Sequence, residues 1–239
     1  IVVTNIPDYC LEEVSDHAIA MILSLNRRIN DHSNMVKKGG WNDLNLNIPV
    51  QRLSESTLGI VGFGRIGRTI ASRVSALGIK SVAFDPLLQP GKIIDNVEIV
   101  SFENLLKDSD FITVHVPLNE KTHHLFSENE FNQMKNNAIL VNCARGGLID
   151  ENAASKALSK GQIGGVGLDV IEDTSNSPSS PLFNNENVII TPHTAFFSKA
   201  SGEELQKRTA EEIVRVINND KPENFINPEV LGNTRSNIS

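Results

Sequence analysis

The chain has 239 residues, of which 39% are hydrophobic, and its formal net charge is −7. The sequence contains neither the basic patch that nucleic-acid binding requires nor an apolar run of the ~18 residues that cross a membrane. Its two cysteines, Cys10 and Cys143, do not suggest a disulfide framework. We therefore expect a cytoplasmic protein of one large or two small domains, with no direct nucleic-acid or membrane partner.

The first part of the chain predicts a short strand followed by a long helix. Residues 1–4 are apolar and strand-like, and apolar side chains recur at helical spacing over residues 11–29. Because Ile19 and Leu23 widen the apolar face of this helix, we expect it to bury two sides, one of them in a homodimer. The polar, Gly/Asn-rich residues 30–52 indicate a loop or short turns.

From residue 57 onward the pattern alternates between strands and helices. Strands are predicted at 58–62, 81–85, 97–100, 111–116, 138–142, 165–170 and 187–191, and helices at 65–77, 102–108, 150–159 and 201–219. Such alternation predicts an α/β fold with a doubly wound parallel (Rossmann) sheet.

A glycine-rich loop follows the strand at 58–62 and is the most informative stretch of the chain. Its G-x-G-x-x-G spacing places glycines at Gly62, Gly64 and Gly67. The first permits a tight turn, the second lets a pyrophosphate approach the backbone, and the third allows the helix to pack closely on the strand. Arg65 and Ile66 begin that helix, whose N-terminal N–H groups attract phosphate. The loop predicts a dinucleotide site.

Asp85 ends the next strand and completes this fingerprint. Its carboxylate can accept hydrogen bonds from a ribose diol and would repel a 2′-phosphate, so NAD is the expected cofactor rather than NADP.

Three residues whose side chains could take part in binding or catalysis follow later strands. Arg145, Asp169 and His193 each stand at a carboxyl end, where parallel sheets bind ligands. An Arg binds a carboxylate with two parallel hydrogen bonds, and a His can donate a proton to a carbonyl oxygen near neutral pH. Each residue type is also common on a solvated surface, but their shared sheet edge beside a cofactor site favours reduction of a 2-oxo acid.

Together these motifs resemble the D-isomer-specific 2-hydroxyacid dehydrogenase family. The matching segments are the glycine loop with Asp85, 114–118 with Thr122, 141–150, 167–170 and 191–195. Residues 196–198 and 222–229 resemble the branch that contains the C-terminal-binding-protein corepressors and D-3-phosphoglycerate dehydrogenases.

The resemblance implies an NAD-dependent interconversion of a D-2-hydroxy acid and a 2-oxo acid, with no metal. It implies that Arg145 binds the substrate carboxylate and carbonyl, that His193 is the acid/base, and that Asp169 contacts the nicotinamide carboxamide. The residues implied to line the cofactor cleft are Val116, Pro117, Thr122, Cys143 and Ala144.

One position departs from the family pattern. The family has a catalytic Glu five residues after the Asp of its Leu-Asp-Val motif, and here that position is Thr174. A Thr can orient the imidazole of His193 but cannot stabilise its imidazolium form, so we expect weakened catalysis. The alternative is that a local shift puts Asp173 in this role.

The chain also begins where the resemblance places the last strand of the family's substrate domain. We expect residues 1–10 to be a remnant of that flavodoxin-like domain, 11–199 to form the NAD-binding domain, and 200–239 to return toward the substrate domain. Either the sequence is a fragment or the gene product is short.

Three hypotheses follow for the function. The first is an NAD-dependent oxidoreductase, supported by Arg145, His193 and the complete fingerprint. The second is a catalytically weak NAD(H)-binding sensor or corepressor-like scaffold, supported by Thr174. The third is a degenerate protein with no independent function.

Overall fold

The computed structural model describes residues 1–41, 50–175 and 178–230. Parts of the predicted loop at 30–52 and of the predicted region at 200–239 lie outside these ranges. The chain divides into two compact units: residues 1–13 with 196–230 form one, and residues 14–195 form the other. Across the described residues, every helix is too short or too polar to cross a membrane.

The larger unit is built on one eight-stranded sheet. Its strands are β1 (Thr57–Val61), β2 (Lys80–Phe84), β3 (Ile93–Ile94), β4 (Val97–Ile99), β5 (Phe111–Val114), β6 (Ile139–Asn142), β7 (Gly165–Leu168) and β8 (Val188–Ile190). Their order is β3-β4-β2-β1-β5-β6-β7-β8. All neighbouring pairs are parallel except β3 with β4, so the doubly wound fold is confirmed, with a short antiparallel edge that the sequence did not predict.

The strand order reverses next to β1, which lies between β2 and β5. A crevice forms at the carboxyl ends of strands at such a switch point, and ligands bind there. Every residue of β5, β6 and β7 is buried, as expected for strands covered on both faces.

Seven α-helices accompany the strands within the described ranges. They are α1 (Leu11–Asn26), α2 (Ile29–Lys37), α3 (Arg65–Ser75), α4 (Phe102–Asp108), α5 (Glu128–Phe131), α6 (Glu151–Ser159) and α7 (Lys199–Ile217). The prediction of one helix over 11–29 is wrong at its C-terminal end. Arg28 has φ of 54°, a left-handed conformation that cannot continue a right-handed helix, so α1 stops at Asn26 and α2 starts at Ile29.

The smaller unit joins the two ends of the chain. Thr4 forms an antiparallel bridge with Phe225, and the Ile226 N–H donates to the Val3 carbonyl oxygen at 3.0 Å. The α7 helix begins earlier than predicted, because Ser198 caps it by accepting a hydrogen bond from the Ser201 N–H at 2.9 Å.

Candidate functional site

The glycine loop lies between the end of β1 and the start of α3. Gly62 has φ of +96°, and a Cβ there would lie 2.8 Å from the His115 carbonyl group. At Gly67 a Cβ would lie 2.4 Å from the Gly62 carbonyl oxygen, so helix and loop approach too closely for any side chain. Gly64 differs, since nothing lies within 4 Å of its Cβ position. Protein packing therefore explains two of the glycines but not Gly64.

Gly64 is also the N-cap residue of α3 and offers the helix no side-chain cap. An open surface at the N-terminus of a helix, with N–H groups available, suits a pyrophosphate. The loop therefore fits the diphosphate of a dinucleotide.

Asp85 follows β2 and contacts this loop directly. One carboxylate oxygen accepts the Phe63 N–H at 3.0 Å, and the other accepts the Leu87 N–H at 2.9 Å. A carboxylate offers about four acceptor sites, so capacity remains for the ribose hydroxyls. Asp85 thus fixes the position of the loop in addition to its predicted contact with the cofactor.

The segment after β5 forms a compact turn. The Thr122 hydroxyl donates to the Pro117 carbonyl oxygen at 2.7 Å and accepts the Asn119 N–H at 2.8 Å. Thr122 therefore shapes this loop, while the neighbouring Val116 is buried. Desolvation lowers the pKa of His115 to about 3, so this imidazole is neutral near pH 7 and unsuited to donate a proton.

The turn after β6 is held by Asn142, a residue that sequence reasoning did not place in the site. Its buried side chain donates to the Arg145 carbonyl oxygen at 2.8 Å and accepts the Ala144 N–H at 2.9 Å. The Arg145 side chain is exposed and donates one hydrogen bond to the Ala144 carbonyl oxygen at 2.6 Å. A guanidinium has five N–H groups, so donors remain for a substrate carboxylate.

Cys143 lies inside the same turn and is buried. Burial, together with the charge of Asp169, raises the pKa of the Cys143 thiol to about 12. The thiol therefore stays protonated near neutral pH and behaves as a small apolar group.

Asp169 organises the loop that carries His193. Its buried carboxylate accepts the Thr191 hydroxyl at 2.5 Å and the N–H groups of Thr194 and Ala195 at 2.9 and 2.8 Å. The His193 N–H donates to the Asp169 carbonyl oxygen at 2.8 Å. Sequence reasoning assigned Asp169 only a contact with nicotinamide and missed this positioning role.

His17 was also missed as a neighbour of this carboxylate. Its Nε2 lies 2.9 Å from the Thr191 hydroxyl oxygen and 3.6 Å from the nearer Asp169 carboxylate oxygen. Thr191 belongs to the matching segment at 191–195, but only the fold brings His17 beside it, since the two lie 174 positions apart in the chain.

His193 and Thr174 line one cleft of about 400 Å³, together with Pro192 and Phe183. His193 is exposed and has φ of 55°, the left-handed region, which histidine adopts more readily than most residues. Arg145 is not among the residues that line this cleft, although its turn ends the neighbouring strand β6.

Asp173 shares the cleft, but its carboxylate is engaged elsewhere. It accepts the N–H groups of Ser175 and Ser179, both at 3.0 Å, and these hydrogen bonds lower its pKa. These bonds hold the Asp173 carboxylate against Ser175 and Ser179.

The fold and the glycine loop define a dinucleotide-binding α/β protein. Residues 19–195 match the NAD binding domain of the D-isomer specific 2-hydroxyacid dehydrogenases, and the chain belongs to that family of enzymes.

The chain is also similar to individual enzymes of this family in sequence and in structure. The glyoxylate reductase of Thermococcus litoralis is 37% identical over 237 residues, which are 97% of this chain and 71% of that enzyme. The D-3-phosphoglycerate dehydrogenase of Methanocaldococcus jannaschii is 38% identical over 234 residues, 95% of this chain and 43% of that protein. The solved D-lactate dehydrogenase of Aquifex aeolicus, complexed with NAD and lactic acid, is 33% identical with a TM-score of 0.86, covering 95% of this chain and 73% of that one.

Proposed function

We propose that this protein uses NADH to reduce a small 2-oxo acid to a D-2-hydroxy acid and also catalyses the reverse reaction. The observation that carries the proposal is the Asp169 hydrogen-bond network. It fixes His193 at the sheet edge where the glycine loop and Arg145 also lie.

The roles follow from the chemistry of each group. Arg145 binds the substrate carboxylate and orients the carbonyl group. His193 donates a proton to the carbonyl oxygen as the alcohol forms and accepts it back in the oxidation. NADH, when bound, supplies the hydride. The glycine loop would hold its diphosphate, Asp85 its ribose, and the turns at 116–122 and 143–144 would line its nicotinamide half.

The proposed substrates are short 2-oxo acids. Two of the three relatives named above, a glyoxylate reductase and a D-lactate dehydrogenase, are named for acids of two and three carbons. Glyoxylate, pyruvate and hydroxypyruvate therefore form the first panel to test.

A catalytically weak NAD(H)-binding protein is the second candidate. It is favoured by Thr174, which stands at the family's Glu position. The two candidates differ in turnover but not in cofactor binding.

The test combines NADH binding with NADH oxidation for each 2-oxo acid. We expect NADH binding to persist in His193→Gln and Arg145→Gln. The first change should lower kcat at least about a hundredfold, and the second should mainly raise KM. Arg52→Gln is the matched control, since Arg52 is an exposed arginine paired with Glu55. If the wild-type protein binds NADH but reduces none of these acids, the dehydrogenase proposal fails and the second candidate stands.

We also propose a cytoplasmic homodimer that contacts through α1. Ile19 and Leu23 on this helix remain partly exposed, and paired helices commonly bury such residues. Wild-type protein should have a dimeric mass in solution at micromolar concentration, and Ile19→Glu with Leu23→Glu should reduce it to a monomer. A monomeric wild-type mass would contradict the dimer.

The smaller unit, which holds both chain ends, is proposed to belong to a flavodoxin-like substrate domain. Its support is the family resemblance of residues 1–10 and 200–230 together with their mutual hydrogen bonds.

A further inference from the structure

We infer that His123, His124 and Glu172 form a binding site for a divalent transition metal, for which Zn²⁺ is the natural probe. Within the described residues, these three side chains place one ligand atom each within 4.8 Å of the other two. Two imidazoles and one carboxylate are a donor set that zinc accepts, with a fourth position left to water.

The distances support a metal more than a simple ion pair. Nε2 of His123 lies 3.4 Å and Nε2 of His124 lies 3.3 Å from the same Glu172 oxygen, Oε1. A charge-assisted hydrogen bond is shorter, about 2.7–2.9 Å. Two ligands on a tetrahedral zinc, each with a bond of about 2.1 Å, are separated by about 3.4 Å. The observed spacing therefore matches ligands that share one ion.

The two imidazoles are already arranged side by side. Their ring centroids are 3.9 Å apart with 25° between the ring planes, so both Nε2 atoms face the same carboxylate. Hydrogen bonds from backbone N–H groups hold two of the three ligand residues in place. The His124 N–H donates to the Gly147 carbonyl oxygen at 2.8 Å, and the Glu172 N–H donates to Glu151 Oε1 at 2.8 Å. Little rearrangement is needed to bind an ion.

The position of the site links it to the neighbourhood of Arg145. A Cβ on Gly146 would lie 2.1 Å from the Ile171 carbonyl group, and one on Gly147 would lie 3.5 Å from the His123 ring. The turn after Arg145 thus packs between the two histidines and the segment that leads to Thr174. A bound ion would link the loop of the two histidines to the segment that leads to Thr174.

The family resemblance predicts no metal, and the spacing of these three residues along the chain does not indicate one. His124 and Glu172 are 48 residues apart and meet only through the order of the strands. The exposure of the three side chains, 52%, 33% and 48%, leaves the site open to ions from solution.

The experiment is a calorimetric titration of chelator-treated full chain with Zn²⁺, together with visible spectra after Co²⁺ addition. We expect one Zn²⁺ per chain and the absorption of a four-coordinate Co²⁺ site. His123→Ala and Glu172→Gln should each weaken Zn²⁺ binding at least about tenfold. Glu120→Gln is the matched control, since it removes an exposed carboxylate of the same loop and should leave binding unchanged.

Thermal unfolding of each variant without metal verifies that it is folded. Zn²⁺ should raise the melting temperature of wild type and of Glu120→Gln but not of Glu172→Gln. Absence of saturable binding would overturn the site. Binding that survives in the double variant His123→Ala/Glu172→Gln would also overturn it, because the ion would then lie elsewhere.

Discussion

The glycine loop offers a matched pair of substitutions, because Gly64 and Gly67 have opposite surroundings. A Cβ at Gly67 would lie 2.4 Å from the Gly62 carbonyl oxygen and 3.0 Å from a methyl carbon of Ile60. At Gly64 a Cβ would meet nothing within 4 Å. We expect Gly67→Ala to lower both stability and NADH affinity, and Gly64→Ala to lower NADH affinity alone.

The stability loss in Gly67→Ala follows from the contact with a backbone atom. Overpacking of this kind reduces the free energy of unfolding by about 3 kcal/mol, because backbone cannot turn aside as a side chain can. Alanine inside helix α3 recovers about 1 kcal/mol. The net loss of about 2 kcal/mol corresponds to a fall in Tm of about 4–8 °C for a chain of this length.

Gly64→Ala should leave the fold intact. Gly64 has φ of −81°, which alanine adopts without strain. The weaker N-cap and the reduced entropy of the unfolded chain oppose each other and are each about 1 kcal/mol or less. The added methyl group would occupy the surface that the pyrophosphate approaches, so the Kd for NADH should rise at least about tenfold, or about 1.4 kcal/mol.

Thermal unfolding and a fluorescence titration with NADH distinguish the two variants. Equal NADH affinity in Gly64→Ala and wild type would refute the assignment of this loop as the pyrophosphate site. An unchanged Tm in Gly67→Ala would refute the packing argument.

Further predictions concern the other side of the cleft. Thr174→Glu adds a carboxylate to the cleft that His193 lines and should raise kcat for reduction about 10–100-fold. Activity should persist to higher pH, because the carboxylate stabilises the imidazolium form that donates the proton. pH–rate profiles measure this effect, and an unchanged profile would show that another group already fills the role. Asp169→Asn should lower the free energy of unfolding by about 1–3 kcal/mol, since the amide nitrogen cannot accept the N–H groups that the carboxylate holds, and denaturant titration tests it. Asn142→Ala should raise KM for the 2-oxo acid by releasing the turn of Arg145, with less effect on NADH affinity in the same assays. Because its pKa is about 12, Cys143 should react with iodoacetamide at pH 8 about a thousandfold more slowly than an unhindered thiol, and faster as the pH rises. Mass spectrometry of the labelled native protein measures this rate. Rapid labelling of the native protein at pH 8 would contradict the prediction.

The sequence predicts those features whose causes are local. The roles of Gly62 and Gly67 follow from a strand–turn–helix context, and both glycines meet close contacts in the structure. The alternation of apolar strands and helices likewise indicates a doubly wound sheet before any contact is known.

Other features depend on partners far along the chain. The break after α1 falls at Arg28, whose side chain binds Asn187 at 2.6 Å, 159 residues away. The role of Asp169 in holding the loop at 191–195 requires β7 and β8 to be neighbours, which periodicity alone does not establish. Neither the helix break nor this network could be derived from residue spacing.

Cofactor binding and chemistry depend on separate parts of this site. The glycine loop is held by its own backbone and by the Asp85 carboxylate. The hydrogen bonds described join neither of them to the segment at 172–174. The proposed chemistry depends on His193, whose cleft also contains the carboxylates of Asp169 and Asp173. Asp169 accepts hydrogen bonds from the loop at 191–195, and Asp173 accepts them from Ser175 and Ser179. Thr174 therefore puts a hydroxyl where the family pattern predicts a carboxylate, on a segment separate from the dinucleotide site. It follows that NADH affinity and turnover should vary independently among variants, and that turnover is the quantity sensitive to position 174.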